Sequence, residues 1–229
     1  FDNNSSDDSV RYIKKNYPKI NLIESKENLG FAKGNNKAVV QSKGKNILLL
    51  NNDTVLLDHI KPVLDLLNND DNGAIGIKML NGDKQYTVSV GKFPKPHQLI
   101  KFSLLNEKRE EFLNDNFKNQ PYLVDWVTGA FLLTKRSLWE KVNGLDEDYF
   151  MYVEDVDFCK KISNEGKKVL FLPNVSFVHY VGFNPKREVR LINGYKIYSK
   201  KHFSFINAIL ANTSLSINYV YKKVFKNIC

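Results

Sequence analysis

Cysteine is almost missing from this chain: 229 residues hold two, Cys159 and Cys229. One falls in an expected helix and the other is the last residue. They make neither a disulfide framework nor a metal-ligand spacing, which fits a reducing, cytoplasmic setting. No apolar run reaches the ~20 residues that a bilayer-spanning helix needs. The dinucleotide fingerprint G-x-G-x-x-G and the phosphate loop G-K-[ST] are also absent, which argues against a Rossmann-type oxidoreductase. Net positive charge is nearly missing from the body as well. The net charge is +9, yet residues 1–182 carry only +1. From residue 183 onward nine Lys/Arg stand against one acid, Glu188, giving +8. A nucleic-acid binder should spread its basic residues over a folded face, so no nucleic-acid partner is expected. A basic tail rich in Tyr, Phe and Ile suits the anionic inner face of a plasma membrane, where the chain would sit as a peripheral protein.

What is present reads as one α/β domain of ordinary composition, 42% hydrophobic and 26% charged. Asp7-Asp8-Ser9 opens a short helix carrying Val10, Ile13 and Tyr17. Residues 20–24 read as a strand. Asn28-Leu29-Gly30 leads into a helix with Phe31, Ala32, Ala38 and Val39 on one face. Residues 46–50 read as a buried strand of the parallel type, followed by a helix over 58–67 and a strand over 74–79. The stretch 81–119 is hardest to read; it is taken as an insertion or acceptor-side region with a helical piece near 104–112. Strands follow at 122–127 and 131–133, helices at 137–142 and 154–165, and two strands at 169–172 and 175–180 around Pro173. This alternation predicts a mostly parallel sheet covered by helices. The tail from Arg190 reads as helix, with Ile206, Ile209, Leu210, Thr213, Ile217, Val220, Tyr221, Val224 and Ile228 as an amphipathic stripe. Gly194 weakens that helix. The stripe either packs on the body or meets a membrane.

Four constellations could carry chemistry. Asn51-Asn52-Asp53-Thr54 follows a buried strand, where ligands of open α/β sheets sit; Asp53 is either a capping acid or a metal ligand. Glu154-Asp155-Val156-Asp157 opens a helix, and its acids either favour the helix dipole or include a general base. His179 ends a strand and is either structural or a metal ligand complementing Asp53. Asn28 to Asn36 is a glycine loop at a helix start, a potential anion site.

In this order the segments resemble inverting family 2 glycosyltransferases, particularly the bacterial rhamnosyltransferase-like group. The matching stretches are Asp2-Asn3-Asn4-Ser5-Ser6-Asp7, Asn28-Leu29-Gly30-Phe31-Ala32-x-Gly34-Asn35-Asn36, Leu50-Asn51-Asn52-Asp53-Thr54, Val127-Thr128-Gly129-Ala130, Gly144-Leu145-Asp146-Glu147-x-Tyr149-Phe150, Glu154-Asp155-Val156-Asp157-Phe158-Cys159 and the run from Pro173 to His179. The resemblance implies a GT-A fold over 1–183, with a nucleotide-binding half (1–80), an acceptor-binding half (81–183) and a basic helical tail (184–229). It implies that Asp2 and Asn4 contact the nucleotide, and that Asn28, Gly30, Phe31, Asn35 and Asn52 line its pocket. Gly129 and Ala130 would lie by the donor sugar. Asp53 and His179 would hold Mg2+ or Mn2+, and Asp155, with Glu154 beside it, would be the catalytic base. Asn51 stands where the family's D-x-D element has its first acid.

The implied activity is metal-dependent, inverting transfer of a hexosyl group in cell-surface polysaccharide synthesis. The donor would be dTDP-rhamnose or a UDP-hexose, and the acceptor a saccharide or lipid-linked hydroxyl. Family members carry a further βα unit, ~30 residues, before the Asp2 motif, so the chain is expected to be truncated there. A non-catalytic nucleotide-sugar-binding fragment is the alternative.

Overall fold

The computed structural model describes residues 1–180, 182 and 186–225. The expected 183/184 boundary, Lys226, Ile228 and Cys229 lie outside them. In chain order the elements are α1 (Ser9–Asn16), α2 (Gly30–Gln41), β1 (Asn46–Leu50), β2 (Thr54–Leu56), α3 (Lys61–Leu67), β3 (Asn72–Leu80) and β4 (Val90–Gly91). Two 3₁₀ turns (Pro96–Ile100 and Phe102–Leu105) follow, then α4 (Glu110–Asn114), β5 (Tyr122–Val124), β6 (Trp126–Val127) and β7 (Phe131–Lys135). The chain continues through α5 (Arg136–Lys141), α6 (Glu154–Asn164), β8 (Lys168–His179), α7 (Arg187–His202) and α8 (Phe205–Phe225).

The main sheet runs β1-β7-β3-β8-β2, with β5 also paired to β8. Among the described strands of this sheet only β3 and β8 pair in parallel; the β1–β7, β3–β7, β2–β8 and β5–β8 ladders are antiparallel. The expected mostly parallel sheet is therefore a mixed one. Apolar runs record burial on both faces and not strand direction, so the sequence could not reveal that β7 runs against both its neighbours. Side chains alternate between two cores along β3 and β8. Ala74, Val169 and Phe171 join one cluster, and Ile75, Ile77, Leu170 and Leu172 the other.

Three local readings change. Residues 20–24 make only a parallel bridge, Asp2 to Glu24. The two strands expected around Pro173 are one, β8, whose register against β3 shifts between Ile77 and Lys78. Pro173 falls within that irregularity, where its missing N–H is tolerated. The stretch 81–119 contributes β4, the 3₁₀ turns and an aromatic cluster in which Phe112 and Phe117 pack with Tyr122 and Phe171.

The tail helices are part of the folded body. Ile192, Tyr195 and Tyr198 of α7 share a core with Tyr149, Val153 and Val156, joined by Ala211 and Leu215 of α8. The face α8 buries is Ala211, Leu215 and Asn218, whose Nδ2 donates to Leu99 O at 2.9 Å. The expected stripe points the other way: Ile206, Ile209, Leu210, Ile217, Val220, Tyr221 and Val224 are all exposed. Among the described residues no helix is long and apolar enough to cross a membrane.

Candidate active site

The β2–β8 ladder sets Thr54 opposite His179, and this places Asp53 beside the imidazole. Tyr180 N–H donates to Asp53 O at 2.9 Å, pinning the turn. Asp53 Oδ1 lies 3.1 Å from His179 Nε2, and Asn51 Nδ2 lies 3.3 Å from the same nitrogen. Yet Asp53 Oδ1 and His179 Nδ1 are buried without a hydrogen-bond partner, an arrangement that costs free energy unless something else fills it. A carboxylate oxygen and an imidazole nitrogen about 3 Å apart match two neighbouring ligands of an octahedral cation with bonds of about 2.1 Å. The residues present therefore fit a divalent cation. Among the described residues no third His, Cys, Asp or Glu joins them. The remaining ligands would be substrate oxygens and water, as is usual for Mg2+.

The second carboxylate group sits at the start of α6. Tyr152 and Val153 hold positive φ values of 73° and 75°, rare for any side chain and strained for a β-branched one. Gly194 of α7 makes this possible. A Cβ there would lie 2.8 Å from Val153 Cγ2 and 2.9 Å from Tyr152 O. The strained pair aims Glu154 and Asp155 into the same cleft as Asp53 and His179. Asp157 turns away. Its Oδ1 lies 2.7 Å from His202 Nε2 and accepts from Tyr149 Oη at 3.3 Å, tying α6 to the end of α7. No side chain caps α6, so helix capping does not explain the acids.

Asp155 is held by backbone donors: Gly129 N–H reaches Oδ2 and Val156 N–H reaches Oδ1, both at 2.9 Å. Burial raises its pKa above the ordinary value, and these two hydrogen bonds lessen the rise without cancelling it. Glu154 is 4% exposed, and its Oε2 has no hydrogen-bond partner. Burial first, and then the charge on Asp155, push its pKa well above the ordinary carboxylate range. The pair therefore splits into a backbone-anchored group, Asp155, and a buried one without a partner on Oε2, Glu154, whose ionisation is the more disfavoured. The turn at Thr128-Gly129-Ala130 links the two corners directly. Gly129 donates to Asp155, and the next residue accepts from Asn51 N–H through Ala130 O at 3.1 Å.

The cleft has a volume of about 650 Å³, within the usual range for small-molecule sites. Of the expected residues it brings together Phe31, Asn51, Asp53, Gly129, Ala130, Glu154, Asp155 and His179. Asp2, Asn4, Asn28, Gly30, Asn35 and Asn52 are not part of its lining. Gly30 instead anchors Phe31: its φ is +78°, and a Cβ would lie 2.2 Å from Phe150 O, which accepts from Phe31 N–H at 2.7 Å. Asn3 braces this turn through Gly30 O and Leu29 N–H. Asn35 bonds back to Phe31 O, and Asn36 clamps Leu145. Asp2 Oδ2 accepts from Ser5 N–H at 3.1 Å. The sequence reading missed Trp126, Met151, Tyr152, Arg187, Arg190, Leu191 and Tyr195, all of which line the cleft. The α7 members recur at helical spacing, which was the available signal.

Residues 1–140 match the family model described as Glycosyl transferase family 2. Rhamnosyltransferase WbbL of Escherichia coli is 34% identical over 92 residues, 40% of this chain and 34% of that protein. The N-acetylglucosaminyl-diphospho-decaprenol L-rhamnosyltransferase of Mycobacterium tuberculosis is 24% identical over 206 residues, 82% of this chain and 67% of that one. The aligned stretches thus span from about a third to about two thirds of these relatives' lengths. Among solved structures, a mannosyltransferase from Pyrobaculum calidifontis in complex with GDP-Man and Mn2+ superposes with a TM-score of 0.59 at 17% identity, over 98% of this chain and 65% of that one. GalNAc-T7 with UDP, GalNAc and Mn2+ gives 0.58 at 12% identity, over 100% and 49%. With the family model covering more than half of its length and these folds superposing along nearly all of it, the chain belongs to glycosyl transferase family 2 and has the GT-A fold.

Proposed function

We propose that this chain transfers a sugar from a nucleotide-diphosphate donor to a hydroxyl of a saccharide or lipid-linked acceptor, with inversion at the anomeric carbon. The observation supporting this reading is that one cleft holds both a cation-compatible Asp–His pair and a backbone-anchored Asp155 beside the buried Glu154.

Asp155 acts as the base. Each of its oxygens keeps a lone pair beyond the backbone hydrogen bond, so the carboxylate can take the acceptor's proton without moving. As that oxygen attacks the anomeric carbon from the face opposite the diphosphate, the bond to the diphosphate breaks and the configuration inverts. Burial, and then the charge on Asp155, raise the pKa of Glu154, which disfavours a second negative charge beside the base. Asp53 and His179 would hold Mg2+ or Mn2+, which would supply positive charge against the departing diphosphate. Gly129 and Ala130 leave room for the donor sugar, since neither projects beyond a methyl group. Asp2, Asn4, Asn28, Gly30, Asn35 and Asn52 are assigned to the nucleotide side. The relatives named as rhamnosyltransferases favour dTDP-rhamnose as donor, with UDP-hexoses next.

The exposed face of α8 is assigned to an anionic membrane surface. From Phe205 to Tyr221 the helix carries no charge, and Lys222 and Lys223 follow. An apolar face ending in lysines suits an interfacial helix. Sedimentation with anionic liposomes should deplete the protein from solution, and an Ile209→Asp/Val220→Asp variant should stay behind. Equal sedimentation of both would refute the assignment.

Release of nucleoside diphosphate from a panel of nucleotide sugars tests the activity. Asp155→Asn should abolish release and keep nucleotide binding. Loss of both together would make Asp155 a donor-binding or structural residue. Binding by the wild type with no release from any donor–acceptor pair would leave a nucleotide-sugar-binding module.

A further inference from the structure

One stripe of α7 forms a wall of the cleft: Arg187, Arg190, Leu191 and Tyr195. Such spacing places all four on one helical face. The basic tail thus brings two positive charges to the candidate active site.

Among the described residues no acid pairs with either arginine. Among the described residues the ion pairs of α7 are Glu188 with Lys222, Lys201 with Asp146 and Asp148, and His202 with Asp157. Of the cleft's acids, Asp155 accepts from the Gly129 and Val156 N–H groups, Asp53 faces His179, and the buried Glu154 makes no ion pair with either arginine among the described residues. Arg190 is nonetheless held in place. Its guanidinium carbon lies 4.9 Å from the centre of the Phe150 ring, and Nη1 lies 3.4 Å from Met151 Sδ. A cation–π contact orients a guanidinium and leaves its in-plane donors available. Arg190 is half-buried and Arg187 exposed. Two unneutralised forks on one wall, one of them preset, form a receptor for a bidentate anion of the phosphate type.

We propose that Arg187 and Arg190 hold a substrate diphosphate against α7. The inference rests on the glycosyl-transfer reading and deepens it. The diphosphate is that of the nucleotide donor or that of a lipid-linked acceptor, and both present the same oxygens to the same two forks.

The test measures binding to the full chain by calorimetry with Mn2+ present, using UDP, dTDP, uridine and farnesyl diphosphate as probes. The variants are Arg187→Ala, Arg190→Gln and the double substitution. Arg187 is exposed, so Arg187→Ala should fold as the wild type does, and a thermal melt checks each variant. Each substitution should weaken the diphosphate probe on the order of tenfold, leaving uridine unchanged. Weakening confined to UDP or dTDP assigns the wall to the donor. Weakening confined to farnesyl diphosphate assigns it to the acceptor. Unchanged affinity for every diphosphate in folded variants overturns the proposal while leaving glycosyl transfer standing. A wild type that binds none of these diphosphates overturns both.

Discussion

Replacing Gly194 with Ala probes how the tail sets the carboxylates. Gly194 lies inside α7, where Ala is ordinarily favoured by about 1 kcal/mol. Here the added methyl would lie 2.8 Å from Val153 Cγ2, 2.9 Å from Tyr152 O and 3.0 Å from Val153 Cβ. Overpacking of this kind costs about 1–3 kcal/mol. The net loss is then about 1 kcal/mol, a fall of about 2–4 °C in melting temperature for a domain of this size. The effect on turnover should be larger. Val153 is held at φ 75° directly before Glu154 and Asp155, and moving it re-aims the base. A displacement near 1 Å can cost on the order of a hundredfold in rate. We expect kcat to fall at least tenfold while the Kd for UDP or dTDP changes little. Gly82→Ala is the control, because a Cβ there meets nothing closer than 3.5 Å. A Gly194→Ala variant that melts higher than wild type and turns over normally would refute the claim that α7 holds the strained pair in place.

Glu154→Gln should change the pH dependence of stability. Burial, and then Asp155, raise the folded pKa of Glu154 above its ordinary 4.5, so the folded state keeps a proton that the unfolded state releases. The stability from that proton is complete below 4.5 and lost as pH rises through the folded value. The variant should therefore match wild type near pH 4 and gain on it as pH rises toward the folded pKa. The gain approaches about 1.4 kcal/mol for each pH unit climbed, read from melts across the range. His202→Ala strips the buried Asp157 of its 2.7 Å partner and should cost about 1–3 kcal/mol in urea unfolding. Gly30→Ala forces a Cβ to within 2.2 Å of Phe150 O at a φ of +78°; the variant should lose most soluble yield, while Gly82→Ala should not.

Much of the site was legible because its residues sit next to element boundaries. Asp53 follows β1, Glu154 and Asp155 open α6, and His179 closes β8; each position also had an ordinary local reading, and the collinear resemblance singled out all four as candidates. Strand direction was not legible, since Leu48, Leu132 and Ile75 look the same whichever way their strands run. The role of α7 was also hidden. Gly194 read as a helix defect because a sequence shows the missing side chain and not the Val153 that needs its space. The α8 stripe left its partner open for a related reason. Periodicity finds an apolar face without saying what covers it, and the body packs against the smaller residues Ala211 and Leu215.

Titrating UDP or dTDP into wild type, His179→Ala and Asp155→Asn, each with and without Mn2+, tests the central claim most directly. Mn2+ should tighten nucleotide binding to wild type and to Asp155→Asn, and should have no effect on His179→Ala. Binding that ignores Mn2+ in all three proteins, or a Mn2+ response that survives in His179→Ala, would contradict the assignment of Asp53 and His179 as the corner that grips the leaving diphosphate.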